Sequence, residues 1–153
     1  MAGKVLKFNK GYAGQISRSI DNIIDSYANA DTGAIAFGAP VALVNGEVKN
    51  VSATNTNVIG IAARTIKTEE SYGQNDAKYM PNEMVDVILR GTVTVYVPTG
   101  TPSAGGKVYI VKATGAIAVA ADSDNTIEMA DWLFKGGVDE NKIAEIVLTK
   151  RAF

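Results

Sequence analysis

The sequence predicts an all-β fold, a barrel or sandwich with little helix. Three observations carry this. Short runs rich in Val, Ile and Ala recur along the chain, separated by turn residues at intervals of about 8–12 positions. The stretch Met84–Val97 alternates with a period of two and is heavily β-branched, the pattern of a half-buried strand. Beyond residue 30 no stretch holds a helical period.

The elements follow in order. Residues 1–30 read as an N-terminal arm with a short helical turn, and residues 31–153 as the β domain. Lys4, Lys7, Lys10 and Arg18 make the stretch to Ser19 basic, with no acid in it, and Gly11-Tyr12-Ala13-Gly14 interrupts regular structure. Ser19 or Asp21 offers a helix N-cap, and Ile20, Ile23, Ile24 and Tyr27 fall on one face of a short helix. Such a segment either lies on its own domain or reaches a neighbouring subunit or partner. Strands are expected at 34–37 and 41–44, then at 47–51 after the hairpin turn Asn45-Gly46, whose residues both tolerate positive φ. Val58–Ile66 reads as another strand, with Gly60 marking a bulge or a close backbone contact.

Lys67–Asn82 is polar and long for a connection in a small domain, which marks it as solvated or as a partner-binding loop; Tyr72 and Tyr79 are its aromatics. Met84–Val97 is expected as one long strand bent at Gly91, with the odd-numbered Val85, Val87, Leu89, Val93, Val95 and Val97 on one face. Strands at 107–111, 116–120, 126–134 and 142–148 complete the list. Trp132, Phe134 and Tyr109 are expected in the core.

Composition narrows the function. The 153 residues include no histidine and no cysteine, so the usual general base, metal ligand and strong nucleophile are all missing. The formal charge of −1 argues against nucleic-acid binding, which calls for a basic excess. It also permits association by lowering mutual repulsion. No run reaches the roughly 18 apolar residues that span a membrane, and the first residues lack the apolar run of a secretory signal. The lack of cysteine fits synthesis in a reducing cytoplasm.

The motif candidates fail on inspection. Counted from Asp122, a calcium loop needs glycine where Ile127 stands and an acid where Leu133 stands. Gly100 and Gly105 have phosphate-loop spacing, but Gly106 occupies the lysine position and Val108 follows Lys107 where a hydroxyl is needed. Glu69-Glu70 and Asp139-Glu140 are adjacent acids in loops, not carboxylates facing across a substrate. No serine or threonine has a histidine to activate it. Phe8, Lys10, Tyr12 and Arg18, in the glycine-broken basic segment, are the candidate partner anchors, because aromatics and arginine concentrate binding energy.

Five stretches in order resemble the head decoration, or structural cement, proteins of tailed bacteriophages. They are Phe8–Arg18, Ile35–Leu43, Val58–Ala62, Glu83–Val93 and Gly105–Ile110. The resemblance implies a small β-barrel, tulip-like domain that binds the outside of an assembled capsid. It implies the major capsid protein and further copies of the chain as partners, with a homotrimer as the expected oligomer. It implies a place on the virion exterior, no cofactor and no catalysis. Competing readings are a tail-tube subunit or other virion component, a carbohydrate-binding module, and an enzyme working through lysine and carboxylates. The module reading finds little support in 7% aromatic content with one tryptophan.

Overall fold

The computed structural model describes residues 10–65 and 78–153. The strands, in chain order, are β1 (Ile16–Ala28), β2 (Ile35–Ala36), β3 (Pro40–Val44), β4 (Glu47–Asn50), β5 (Val58–Ala62), β6 (Lys78–Tyr79), β7 (Met84–Tyr96), β8 (Lys107–Val111), β9 (Ile117–Ala118), β10 (Thr126–Phe134) and β11 (Ile143–Leu148). A 3-10 turn, Ser123–Asn125, precedes β10. Nine strands form one strongly curled sheet in the order β4-β3-β5-β7-β11-β10-β8-β9, with β1 also paired to β7. β2 and β6 form a separate two-stranded ribbon. The all-β expectation is met.

β7 organises the sheet. Ile88 faces Ile24 of β1 on one side and Ile61 of β5 on the other. Further along, Val93 faces Ile16 of β1 and Ile146 of β11. β7 thus joins the β4-β3-β5 ribbon to the β11-β10-β8-β9 ribbon while carrying β1 along its length. Both of its faces are covered at most positions, more than the half-burial that its alternation predicts, and its β-branched residues suit such a packed strand.

Two apolar clusters fill the interior. The larger contains Ile61, Ile88, Val93, Val95, Val97, Val108, Ile110, Trp132, Phe134 and Ile146. The second contains Ile35, Phe37, Val41, Val48, Ile59, Tyr79, Val85, Val87 and Leu89, with Ile23 and Tyr27 of β1 packed against it. At its far end β1 reaches β4, where Asn29 and Val48 form a parallel bridge, so the second cluster is enclosed by β1, β7, β5, β3 and β4 and covered by the β2–β6 ribbon.

The structure departs from the sequence expectation in four places, the simplest being Tyr109, which is half-buried and in neither cluster, unlike Trp132 and Phe134. The odd-numbered residues of β7 serve two clusters: Val85, Val87 and Leu89 enter the second, and Val93, Val95 and Val97 the first. The change falls at Gly91, whose φ of 127° is open only to glycine and whose missing Cβ leaves room for the Asn22 side chain.

The short helix expected over Ile20–Tyr27 is instead part of β1. The register explains the misleading spacing. From Arg18 to Ile23, β1 advances five positions while β7 advances only from Thr92 to Arg90. This bulge, with Asp21 at φ 75°, breaks the alternation and leaves Ile23 and Ile24 as adjacent apolar residues, as a helix face would.

Lys78 and Tyr79, expected in a polar loop, form β6. Tyr79 is interior: its ring meets Phe37 edge-on at 5.1 Å between centroids, and its hydroxyl donates to the Ala63 carbonyl at 2.6 Å.

Candidate docking surface

The basic, glycine-broken segment is built into the domain from Lys10 onward. The Lys10 amide donates to Asp139 Oδ2 at 2.7 Å. Asp139 Oδ1 also accepts the amides of Asn141 and Ile143, at 2.9 and 3.0 Å, which orders the turn before β11. Burial alone would raise the Asp139 pKa, but the three amide hydrogen bonds, from Lys10, Ile143 and Asn141, and the charge of Lys10 outweigh it. The carboxyl is held below its ordinary range.

Two residues on, the segment adds to the edge of β7. The Gly14 amide donates to the Thr94 carbonyl at 2.7 Å, and the Thr94 amide to the Gln15 carbonyl at 2.9 Å. The buried Thr94 hydroxyl donates to the Tyr12 carbonyl at 2.6 Å and accepts the Gln15 amide at 3.2 Å. On its other side the Gly14 carbonyl accepts the Arg64 amide at 2.8 Å. Gly14 and Gly38 meet backbone to backbone, both at positive φ of 83° and 80°; a Cβ on Gly14 would lie 2.6 Å from the Gly38 nitrogen. Only glycine fits this crossing at either position.

Arg64 closes the junction. Its guanidinium sits 4.9 Å from the centre of the Tyr12 ring and 5.2 Å from that of Phe37, and its Nε donates to the Ala13 carbonyl at 3.2 Å. Nη1 and Nη2 are buried with no hydrogen-bond partner among the described residues. The two aromatic faces are what compensates the charge there. Desolvation lowers the Arg64 pKa, opposed by the charge of Tyr12, and arginine stays protonated at any ordinary pH.

At the start of β1, Ser17 Oγ donates to Glu145 Oε1 at 2.9 Å, and Arg18 Nε donates to the same oxygen at 3.0 Å. The Arg18 side chain is 64% exposed, so the pair is a surface contact of small energetic weight. One edge of the guanidinium remains available to a partner.

The four anchors expected from the sequence are therefore placed as follows. Lys10, Tyr12 and Arg18 lie in one continuous stretch against β7, Asp139 and Glu145, with Tyr12 36% exposed and Arg18 outward. Phe8 lies outside the described residues, as does Tyr72. Tyr79 lies in the second cluster, behind that stretch: it is buried, and its ring meets Phe37, which shares the Arg64 guanidinium with Tyr12.

Thr94, Arg64, Asp139 and Glu145 carry no motif that would single them out. The one available signal was the charge asymmetry: a leading segment without acids needs acidic partners, and Asp139 and Glu145 supply them within the same chain.

A family model described as structural cement protein (E217 gp24/Pam3 gp6) matches residues 5–149. Five chains of solved structures match. One, from a structure titled "The capsid of Myoviridae Phage XM1", aligns with a TM-score of 0.74 at 20% identity, over 99% of this chain and 96% of that one. At this identity the likeness is one of fold. No curated protein matches the chain.

Proposed function

The chain belongs to the structural cement protein family, and from that membership we propose that it binds the outer surface of an assembled phage capsid as an oligomer and stabilises the shell without catalysing a reaction. The family match over residues 5–149 is the observation that carries this reading. The absence of histidine and cysteine is consistent with a role that requires no reactive side chain.

The mechanism is linkage. A ligand that binds the assembled shell and not its free subunits stabilises assembly by RT ln(1 + [L]/Kd) per site. Oligomerisation lets several weak contacts act together, so a trimer holds far more tightly than one copy. The face carrying Tyr12 and Arg18 is the proposed contact with the major capsid protein, since Tyr12 is backed by Arg64 and both side chains reach solvent.

Co-sedimentation of the purified chain with undecorated heads tests the proposal. The intact chain should pellet with heads and saturate. The Tyr12→Ala/Arg18→Glu variant should lose affinity by tenfold or more while keeping its β circular dichroism. A chain that stays in the supernatant at every concentration overturns the reading.

A further inference from the structure

β1 leaves a short acidic sheet edge open. The bulge at Arg18–Ile23 breaks the strand at one end, and the bridge from Asn29 to Val48 of β4 occupies it at the other. Between them, Ile24–Ala28 pair in regular register with β7 on one side, Ile23 joining after one further shift, and no strand pairs with them on the other side among the described residues. An edge of this kind is a template for strand addition unless something covers it.

The surface beside it is apolar and acid-rimmed. Ile24 is 41% exposed and Met84 58%. Ile24, Ser26 and Ala28 share the face of Met84 and Asp86, and Asp25 points to the opposite face, exposed. Asp86 already accepts the Ser26 hydroxyl at 2.6 Å, so the polar middle of this face is satisfied from within and its apolar flanks are not.

Charge selects the occupant. Antiparallel pairing of two copies of this edge in the register centred on Asp25 sets the two Asp25 side chains opposite each other, a like-charge meeting that opposes that two-fold contact. A basic strand is favoured instead, and the chain contains one. Lys4-Val5-Leu6-Lys7-Phe8-Asn9 has two lysines and no acid. Laid out as a strand, it would put Leu6 and Phe8 on one face and Lys7 on the other. Six extended residues span about 20 Å, the length of a six-residue edge.

We infer that residues 4–9 of a second copy, the stretch ahead of the clamped Lys10, add as a strand to the outer edge of Ile23–Ala28, with Leu6 and Phe8 on the face of Ile24 and with Lys7 beside Asp25. The inference rests on the oligomeric reading above. A contact between two different patches, each copy giving one and receiving the other, closes into a ring and so suits a trimer.

The native chain has no cysteine, which makes a direct test clean. Chains carrying Phe8→Cys alone and Ile24→Cys alone are prepared, one isotopically heavy, then mixed and oxidised, both free and bound to undecorated heads. The mixed disulfide is expected to exceed each like-with-like product at least tenfold. It should fall when Lys7→Glu is added and recover when Asp25→Lys is added to the other chain. Ser26→Cys, on the same strand and face, serves as a second acceptor should Ile24→Cys disturb the sheet. Absence of a mixed excess for both acceptors, free and on heads, overturns strand addition. So does a double-cysteine chain that closes only on itself. Heads that bind the chain normally while no mixed product forms would overturn this inference and leave the cement reading standing.

Discussion

Gly14 and Gly38 cross at a distance that admits no side chain on either: a Cβ on Gly14 would stand 2.6 Å from the Gly38 nitrogen, and one on Gly38 would stand 2.7 Å from the Gly14 nitrogen. The crossing locks the leading segment to the end of β5, because the Gly38 amide also donates to the Ala62 carbonyl and the Arg64 amide to that of Gly14. What precedes β1 is thus a clamped element of the domain from Lys10 onward.

Gly14→Ala should destabilise the fold by about 1–3 kcal/mol, combining positive-φ strain with displacement of backbone that cannot yield. Gly33→Ala, which meets nothing within 4 Å and has no positive φ, should stay within about 0.5 kcal/mol of the parent. Urea denaturation of the two variants side by side measures the difference, and equal midpoints would contradict the close crossing.

Thr94→Val keeps the shape of a buried residue and removes the hydroxyl that serves Tyr12 and Gln15. Leaving that carbonyl without its donor should cost about 1–3 kcal/mol. Thr94→Ser should recover most of the loss. Hydrogen exchange at Gly14 and Gln15 should quicken in the valine variant, while exchange in β10 remains unchanged.

Arg64→Lys preserves the charge and removes the planar group that lies between Tyr12 and Phe37. A lysine cannot stack on both rings while donating to the Ala13 carbonyl. The expected loss is about 1–2 kcal/mol, with faster limited proteolysis near residues 10–15. Unchanged cleavage there would remove Arg64 from the clamp.

The Asp139 carboxyl has its pKa lowered in the folded chain, so its contribution carries a definite sign with pH. The stabilisation is complete above the unfolded carboxylate value of about 3.9 and disappears as pH falls through the lower folded value. Between pH 5 and 8 the residue should add no slope. Asp139→Asn should lower stability at neutral pH, and its deficit relative to the parent should shrink below about pH 4. An acid titration of both proteins followed by tryptophan fluorescence measures this.

Much of the fold was legible because strand alternation and turn residues act locally. Nine of the expected stretches, from Ala34–Phe37 to Lys142–Leu148, correspond to strands, and Asn45-Gly46 forms its hairpin with both residues at positive φ. β1 was misread because its bulge lies opposite Gly91, more than sixty residues away in sequence, and no local pattern records a register shift imposed by a distant partner. β6 was missed for a similar reason: two residues carry no periodicity, and Tyr79 is held by Phe37 and Ala63 from elsewhere in the chain. At the proposed docking surface, Tyr12 and Arg18 stand out in the sequence only as an aromatic and a base in a glycine-broken segment. Their supports, Arg64, Thr94, Asp139 and Glu145, become visible only when the sheet brings β5, β7 and β11 beside the leading segment.

The central claim is that this chain reinforces an assembled shell. Its most direct test is the temperature at which DNA-filled, undecorated heads rupture, followed by dye access to DNA as purified chain is added. The account predicts that the rupture temperature rises with added chain and levels off at saturation of the heads, and that the Tyr12→Ala/Arg18→Glu variant gives a smaller rise at equal concentration. A rupture temperature that stays constant while the chain saturates the heads would contradict it.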